Sequence, residues 1–195
     1  MTKSCEAAFA VVDLIRKDDA SRTRGVDAFC LALIRSERQI RRIFTNLVFQ
    51  SSAFDRHNVP KLRETLGKRK RLFFRHFQIS FKELVDIPIS DLIADFERLS
   101  IRMIEATEYR NKLFHGQLTG GSLTTSYLLS LEDDIRAWCY SLSDRSHERF
   151  GYDGFAGSTS FMKTGRSELS LLVSQKIPSV EDYAAFLVRL EGSKA

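Results

Sequence analysis

Long segments in which apolar residues return every three or four positions, only three prolines and ten glycines in 195 residues, and no sustained alternation of apolar and polar residues predict an all-α fold. The expected architecture is a bundle of about five to six helices, residues 1–150, followed by an irregular C-terminal tail, residues 151–195. A hydrophobic content of 43% with 28% charged residues suits a chain that buries one proper core. The longest uninterrupted apolar stretch, Ala28 to Ile34, is seven residues, far short of a bilayer span, so no membrane segment is expected.

The first helix is expected from about Ser4 to Asp19, with Phe9, Val12, Leu14 and Ile15 apolar, ending in the polar stretch Asp18 to Gly25. Asp27 can cap a long second helix, in which Leu33, Ile40, Ile43, Phe44, Leu47 and Val48 recur at helical spacing with Arg35, Arg38, Arg41 and Arg42 between them. One face is core and another is basic. Pro60 suits the first turn of a third helix whose apolar side is Leu62, Leu66, Phe73 and Phe77. A fourth begins near Ser90, and Ile89, Leu92, Ile93, Phe96, Leu99, Met103 and Ile104 form its continuous stripe. The fifth runs from about Thr124 to Arg149 on Leu128, Leu131, Ile135, Trp138 and Leu142. In the tail, Gly151, Gly154, Gly157 and Gly165 predict loops or short strands before a last helix from Ser179 through Leu190, with Ser179 and Asp182 as a variant of the capping box.

Charge is unevenly spread. Between Arg56 and His76 eight Lys or Arg stand against the single acid Glu64, so this segment alone carries +7 where the whole chain carries +5. Clustered cations of this kind fit a polyanion such as RNA, and Lys68, Arg69, Lys70, Arg71 and Arg75, with Lys112, are the candidate phosphate contacts. Phe73 and Phe74 are available for stacking on bases, although core roles suit them better. Three cysteines without a close pair, Cys5, Cys30 and Cys139, indicate neither a disulfide framework nor a zinc knuckle, and Cys30 and Cys139 read as small core residues. The beginning of the chain has no apolar leader segment, so the cytoplasm is the expected compartment. No acid, His and Cys cluster has metal-ligand spacing, Asp133 and Asp134 read as a solvated face, and Gly120-Gly121 lacks the lysine of a phosphate-cradling loop. No metal and no cofactor are expected.

The chemistry-bearing residues concentrate at the end of the fourth helix, in Arg110-Asn111-Lys112-Leu113-Phe114-His115-Gly116. Seven residues on from Met103 falls Arg110, seven from Ile104 falls Asn111, and eleven from Ile104 falls His115, so three polar groups continue the apolar stripe and should point inward or into an interface. Gly116 can end the helix in a left-handed cap. Arg and His five apart occur by chance about 0.4 times in such a composition, and Arg71 and His76 show it too; requiring Asn directly after the Arg lowers the expectation to about 0.006.

Arg110-Asn111-x-x-x-His115, at the end of an amphipathic helix and ahead of a glycine and another long helix, resembles the signature of the HEPN superfamily. The resemblance in helical layout covers residues 1–150. It implies a bundle that dimerises with the two motif helices facing each other, so that both hexapeptides build one composite cleft, and it implies metal-independent cleavage of RNA. In that reading His115 is general base or acid, Arg110 holds the phosphate, and Asn111 orients one of them or binds the phosphate. A toxin or antiviral effector, with an antitoxin or regulatory protein as a possible partner, is the corresponding role. The tyrosine that lies two places after the histidine in HEPN toxins under nucleotidyltransferase control is replaced by Gln117, which argues against that mode of control. The alternatives are a non-catalytic HEPN-like scaffold in a larger complex and an RNA-binding module that uses the basic segment alone.

Overall fold

The computed structural model describes residues 2–115 and 123–193; the glycine-bearing stretch 116–122, with the expected cap at Gly116, lies outside them. The described residues form eight α-helices and no strand: α1 Lys3–Lys17, α2 Arg24–Phe49, α3 Val59–Gly67, α4 Phe74–Val85, α5 Phe96–Phe114, α6 Thr125–Phe150, α7 Ser167–Lys176 and α8 Val180–Gly192. The all-α expectation holds, with more helices than the five to six expected. None is long and apolar enough to cross a membrane.

α2 is the central member and packs against α6, α1, α4 and α5. Its apolar stripe buries Ala28, Phe29, Leu33, Ile40, Ile43, Phe44 and Leu47. Phe44 meets Phe77 of α4 edge-on, with ring centroids 5.2 Å apart, and lies near-parallel to Phe186 of α8 at 6.3 Å. On α6 the five apolar residues read from the sequence are all buried, and Trp138 is wedged between Phe74 and Phe96. Thr124 caps α6 by accepting the Tyr127 N–H at 3.2 Å, and Gly151 ends it in the left-handed region at φ 78°. Of the two cysteines expected in the core, Cys139 is fully buried and Cys30 only partly so.

Several local expectations are corrected. Thr23 rather than Asp27 precedes α2, and Asp27 sits in its first turn accepting from the Thr23 hydroxyl at 2.7 Å. The basic run is not one helix: α3 stops at Gly67, and Phe73, extended and 56% exposed, donates its N–H to Nδ1 of His76 at 2.9 Å to start α4. Ile89–Asp91 is a separate 3-10 turn, and Asp95 in the left-handed region, φ 56°, interrupts the stripe before α5. Ile104 is 63% exposed, so it does not belong to the core side of α5. Asp134 is not solvated: it accepts from Arg102 at 2.7 Å and from Arg98 at 2.5 Å.

Residues 151–193 are bound into the bundle. Their buried Tyr152, Leu169, Val173, Ile177, Tyr183, Phe186, Leu187 and Leu190 join the same apolar core. The irregular part is held by a row of polar side chains on α2 and its C-cap, spaced so that they share one face. Gln39 donates to the carbonyl of Asp153 at 3.1 Å, and Arg42 donates to the carbonyls of Phe155, Ala156 and Gly157. Asn46 donates to those of Ser160 and Met162, each at 3.0 Å, and Gln50 accepts from the Thr164 N–H at 3.0 Å. Buried backbone without a sheet or helix partner would be costly, and these side chains supply the partners. Gly154 fits here because a Cβ would lie 2.6 Å from Cγ of Gln39 and because its φ is +85°. α7 packs on α4, and α8 on α3 and α4; Ser179 caps α8 by accepting the Asp182 N–H at 3.0 Å, as the sequence indicates.

Candidate functional site

α5 is anchored to α6 by a charged network immediately before the motif. Arg102 donates to Asp134, to Glu105 at 2.5 Å and to the Tyr127 hydroxyl at 3.2 Å, while Tyr127 donates to Glu105. Burial alone would raise the Asp134 carboxyl, but hydrogen bonds from Arg102 and Arg98 outweigh it and hold it below the usual carboxylate range. Tyr109 packs edge-on against Tyr127 at 5.8 Å, and the Lys112 ammonium lies 5.4 Å from the centre of the Tyr109 ring. The last two turns of α5 therefore stand on a fixed base.

Arg110 turns towards α2, as its seven-residue spacing from buried Met103 requires, and its Nη1 donates to Oε1 of Glu37 at 2.7 Å. Its Nε is shielded from solvent and has no hydrogen-bond acceptor among the described residues, so donor capacity is left over beside the carboxylate that orients it. Asn111 and His115 do not point inward. Both are exposed, and His115 forms the C-cap of α5, its backbone N–H donating to the carbonyl of Asn111 at 3.1 Å. The reason is Ile104: residues seven and eleven places after an exposed residue are themselves exposed. Ile101, Ile104, Asn111 and His115 share that outer face of α5, and the two isoleucines are 65% and 63% exposed. Arg110 and His115, five residues apart, diverge by about 140° around the helix, so a single chain presents them in different directions.

Glu37 is the member of this site that the sequence reading did not single out. The available signal was that it stands as the one acid among Arg35, Arg38, Arg41 and Arg42, a place where a carboxylate needs a reason. The candidate RNA contacts divide. Lys68 pairs with Glu64 at 2.6 Å, Arg69 approaches Glu191 at 3.7 Å, and Arg71 and Arg75 are exposed on the connection to α4 and its first turn. Arg69 and Lys70 face a cleft of about 610 Å³ together with Arg38, Arg41 and Arg42 of α2 and Arg63 of α3. Among the described residues no three His, Cys, Asp or Glu side chains converge closely enough to hold a metal ion. Comparison with protein-family models, with curated proteins and with solved structures finds no match for this chain.

Proposed function

We propose that this chain is a metal-independent endoribonuclease of the HEPN type that works as a homodimer, in the cytoplasm, as a toxin or antiviral effector restrained by an antitoxin or regulatory protein. The observation that carries the reading is the division of the motif between two directions, with Arg110 held by Glu37 on the α2 side and His115 and Asn111 on an outward face that also bears Ile101 and Ile104. Exposed isoleucines beside an exposed histidine suit a contact with a second copy of α5. Such a contact brings the two copies of His115 together, and for Arg110 to reach the same phosphate it must release Glu37 and swing out from the α2 side.

In this cleft the ribose 2′-oxygen attacks the adjacent phosphorus while an imidazole removes its proton, and Arg110 stabilises the charge that develops on the phosphoryl oxygens. The bond to the 5′-oxygen breaks, that oxygen takes up a proton, and the products are a 2′,3′-cyclic phosphate and a free 5′-hydroxyl. DNA lacks the attacking hydroxyl and is not a substrate. Cleavage of total cellular RNA with EDTA present, by the wild type and by His115→Ala, tests the reading: cyclic phosphate ends are expected from the wild type only, and equal cleavage by both proteins would refute it. The competing reading, an RNA-binding module or scaffold without cleavage, is favoured by the engagement of Arg110 with Glu37, and it requires salt-sensitive binding that is indifferent to His115.

A further inference from the structure

The cleft between α2, α3 and the 158–161 segment is strongly basic. Six cationic side chains, Arg38, Arg41, Arg42, Arg63, Arg69 and Lys70, line it, and no Asp or Glu does so among the described residues. Its volume of about 610 Å³ falls within the range of small-molecule sites. Part of this charge is fixed in place. Arg42 is bound to three tail carbonyls, Arg41 donates to the Leu72 carbonyl at 3.0 Å, and Arg63 lies 5.0 Å from the centre of the Phe161 ring. Part is unspent. Arg38 and Lys70 are exposed and have no ion-pair partner among the described residues, whereas Arg69 lies 3.7 Å from Glu191 and only its shielded Nε lacks an acceptor among the described residues.

Holding this many like charges in so small a space is unfavourable unless an anion offsets them, and the anion must be dense. A nucleic-acid backbone brings one negative charge per nucleotide and would place only a phosphate or two inside. A chain of directly linked phosphates brings several charges within the same span and offers the many oxygens that guanidinium groups bind bidentately. From this match we infer that the cleft is a binding site for a polyphosphate group, carried either by a free small molecule or by the 5′-triphosphate end of an RNA. The site is independent of cleavage at Arg110 and His115, and it survives if that activity is absent.

The probe is inorganic tripolyphosphate, titrated calorimetrically at physiological salt into the full-length wild type and into Arg38→Glu/Lys70→Glu. Both positions are exposed, and an unchanged melting temperature without ligand confirms that the variant is folded. Tripolyphosphate is expected to bind the wild type at least about tenfold more tightly than orthophosphate, and the double variant is expected to lose at least about tenfold of that affinity. Displacement of bound tripolyphosphate by 5′-triphosphate RNA, but not by 5′-hydroxyl RNA of the same sequence, would identify the RNA end as the source. Failure of both RNAs to displace it would identify a free polyphosphate. Orthophosphate binding as tightly as tripolyphosphate, unchanged affinity in the variant, or displacement by 5′-hydroxyl RNA as effective as by the triphosphate form would overturn the proposal.

Discussion

Ile104→Glu separates the proposed dimer from the fold. Ile104 is 63% exposed, so about two thirds of the roughly 1.5–3 kcal/mol available from burying a large apolar side chain is still to be gained in a contact, which is about 1–2 kcal/mol. A two-fold contact buries both copies, so the substitution removes about 2–4 kcal/mol and also brings two carboxylates towards each other. The dissociation constant should rise by roughly 30- to 700-fold. Sedimentation equilibrium over a concentration series reads that change directly. Because Ile104 lies outside the core, the melting transition of the dilute protein should shift by less than about 0.5 kcal/mol. Activity should fall in proportion to dimer and recover at high protein concentration. An unchanged dissociation constant, or a wild type that remains monomeric at tens of micromolar, would refute the placement of the interface on this face of α5.

Two further predictions concern the fold and its pH dependence. Gly154→Ala forces a Cβ to 2.6 Å from Cγ of Gln39 at a φ of +85°, and should destabilise by about 2–3 kcal/mol in urea unfolding; a loss below about 0.5 kcal/mol would mean that the 151–166 segment is not seated on α2 as described. His76 is the one buried histidine of the four; burial, reinforced by the charge of Arg75 against a smaller opposing effect of Glu191, lowers its pKa from the ordinary 6.5. The unfolded chain therefore binds this proton more readily. The stability it contributes is fully present above that ordinary value and is lost as pH falls towards the lowered one. His76→Gln should flatten the decline in melting temperature on mild acidification, and an identical slope in both proteins would count against a buried neutral imidazole at the start of α4.

The sequence made some elements readable and hid others for identifiable reasons. α6 was fully legible because Thr124, a long apolar stripe and Gly151 agree with one another. The end of α5 was legible only in part: Ile104, about 100° round the helix from Met103, widens the apolar stripe, and nothing local distinguishes an isoleucine in the core from one on an outer face. Spacing from Met103 places Arg110 inward, whereas Asn111 and His115, spaced from Ile104, lie outside the core, which leaves only the interface half of their expectation. The break between α3 and α4 depends on the burial of Leu72, a tertiary feature, and on the local bond from the Phe73 N–H to His76, a capping pair of residue types that sequence patterns do not flag. Gln39, Asn46 and Gln50 are buried polar residues on α2 and at its C-cap, and their meaning, a ladder of donors and acceptors for the following segment, becomes visible only once residues 153–164 lie against them.

The most direct test of the central claim mixes two inactive variants. If cleavage needs Arg110 of one protomer and His115 of the other, Arg110→Ala and His115→Ala homodimers are each dead, while their heterodimer keeps one intact pair of the two. With subunits exchanged at random half the dimers are mixed, so the mixture should recover about a quarter of wild-type cleavage of RNA in EDTA. Recovery at that level, with cyclic phosphate ends, is the expected result. A wild type that leaves RNA intact, or a mixture as inactive as its components after exchange is verified, would contradict a composite nuclease site.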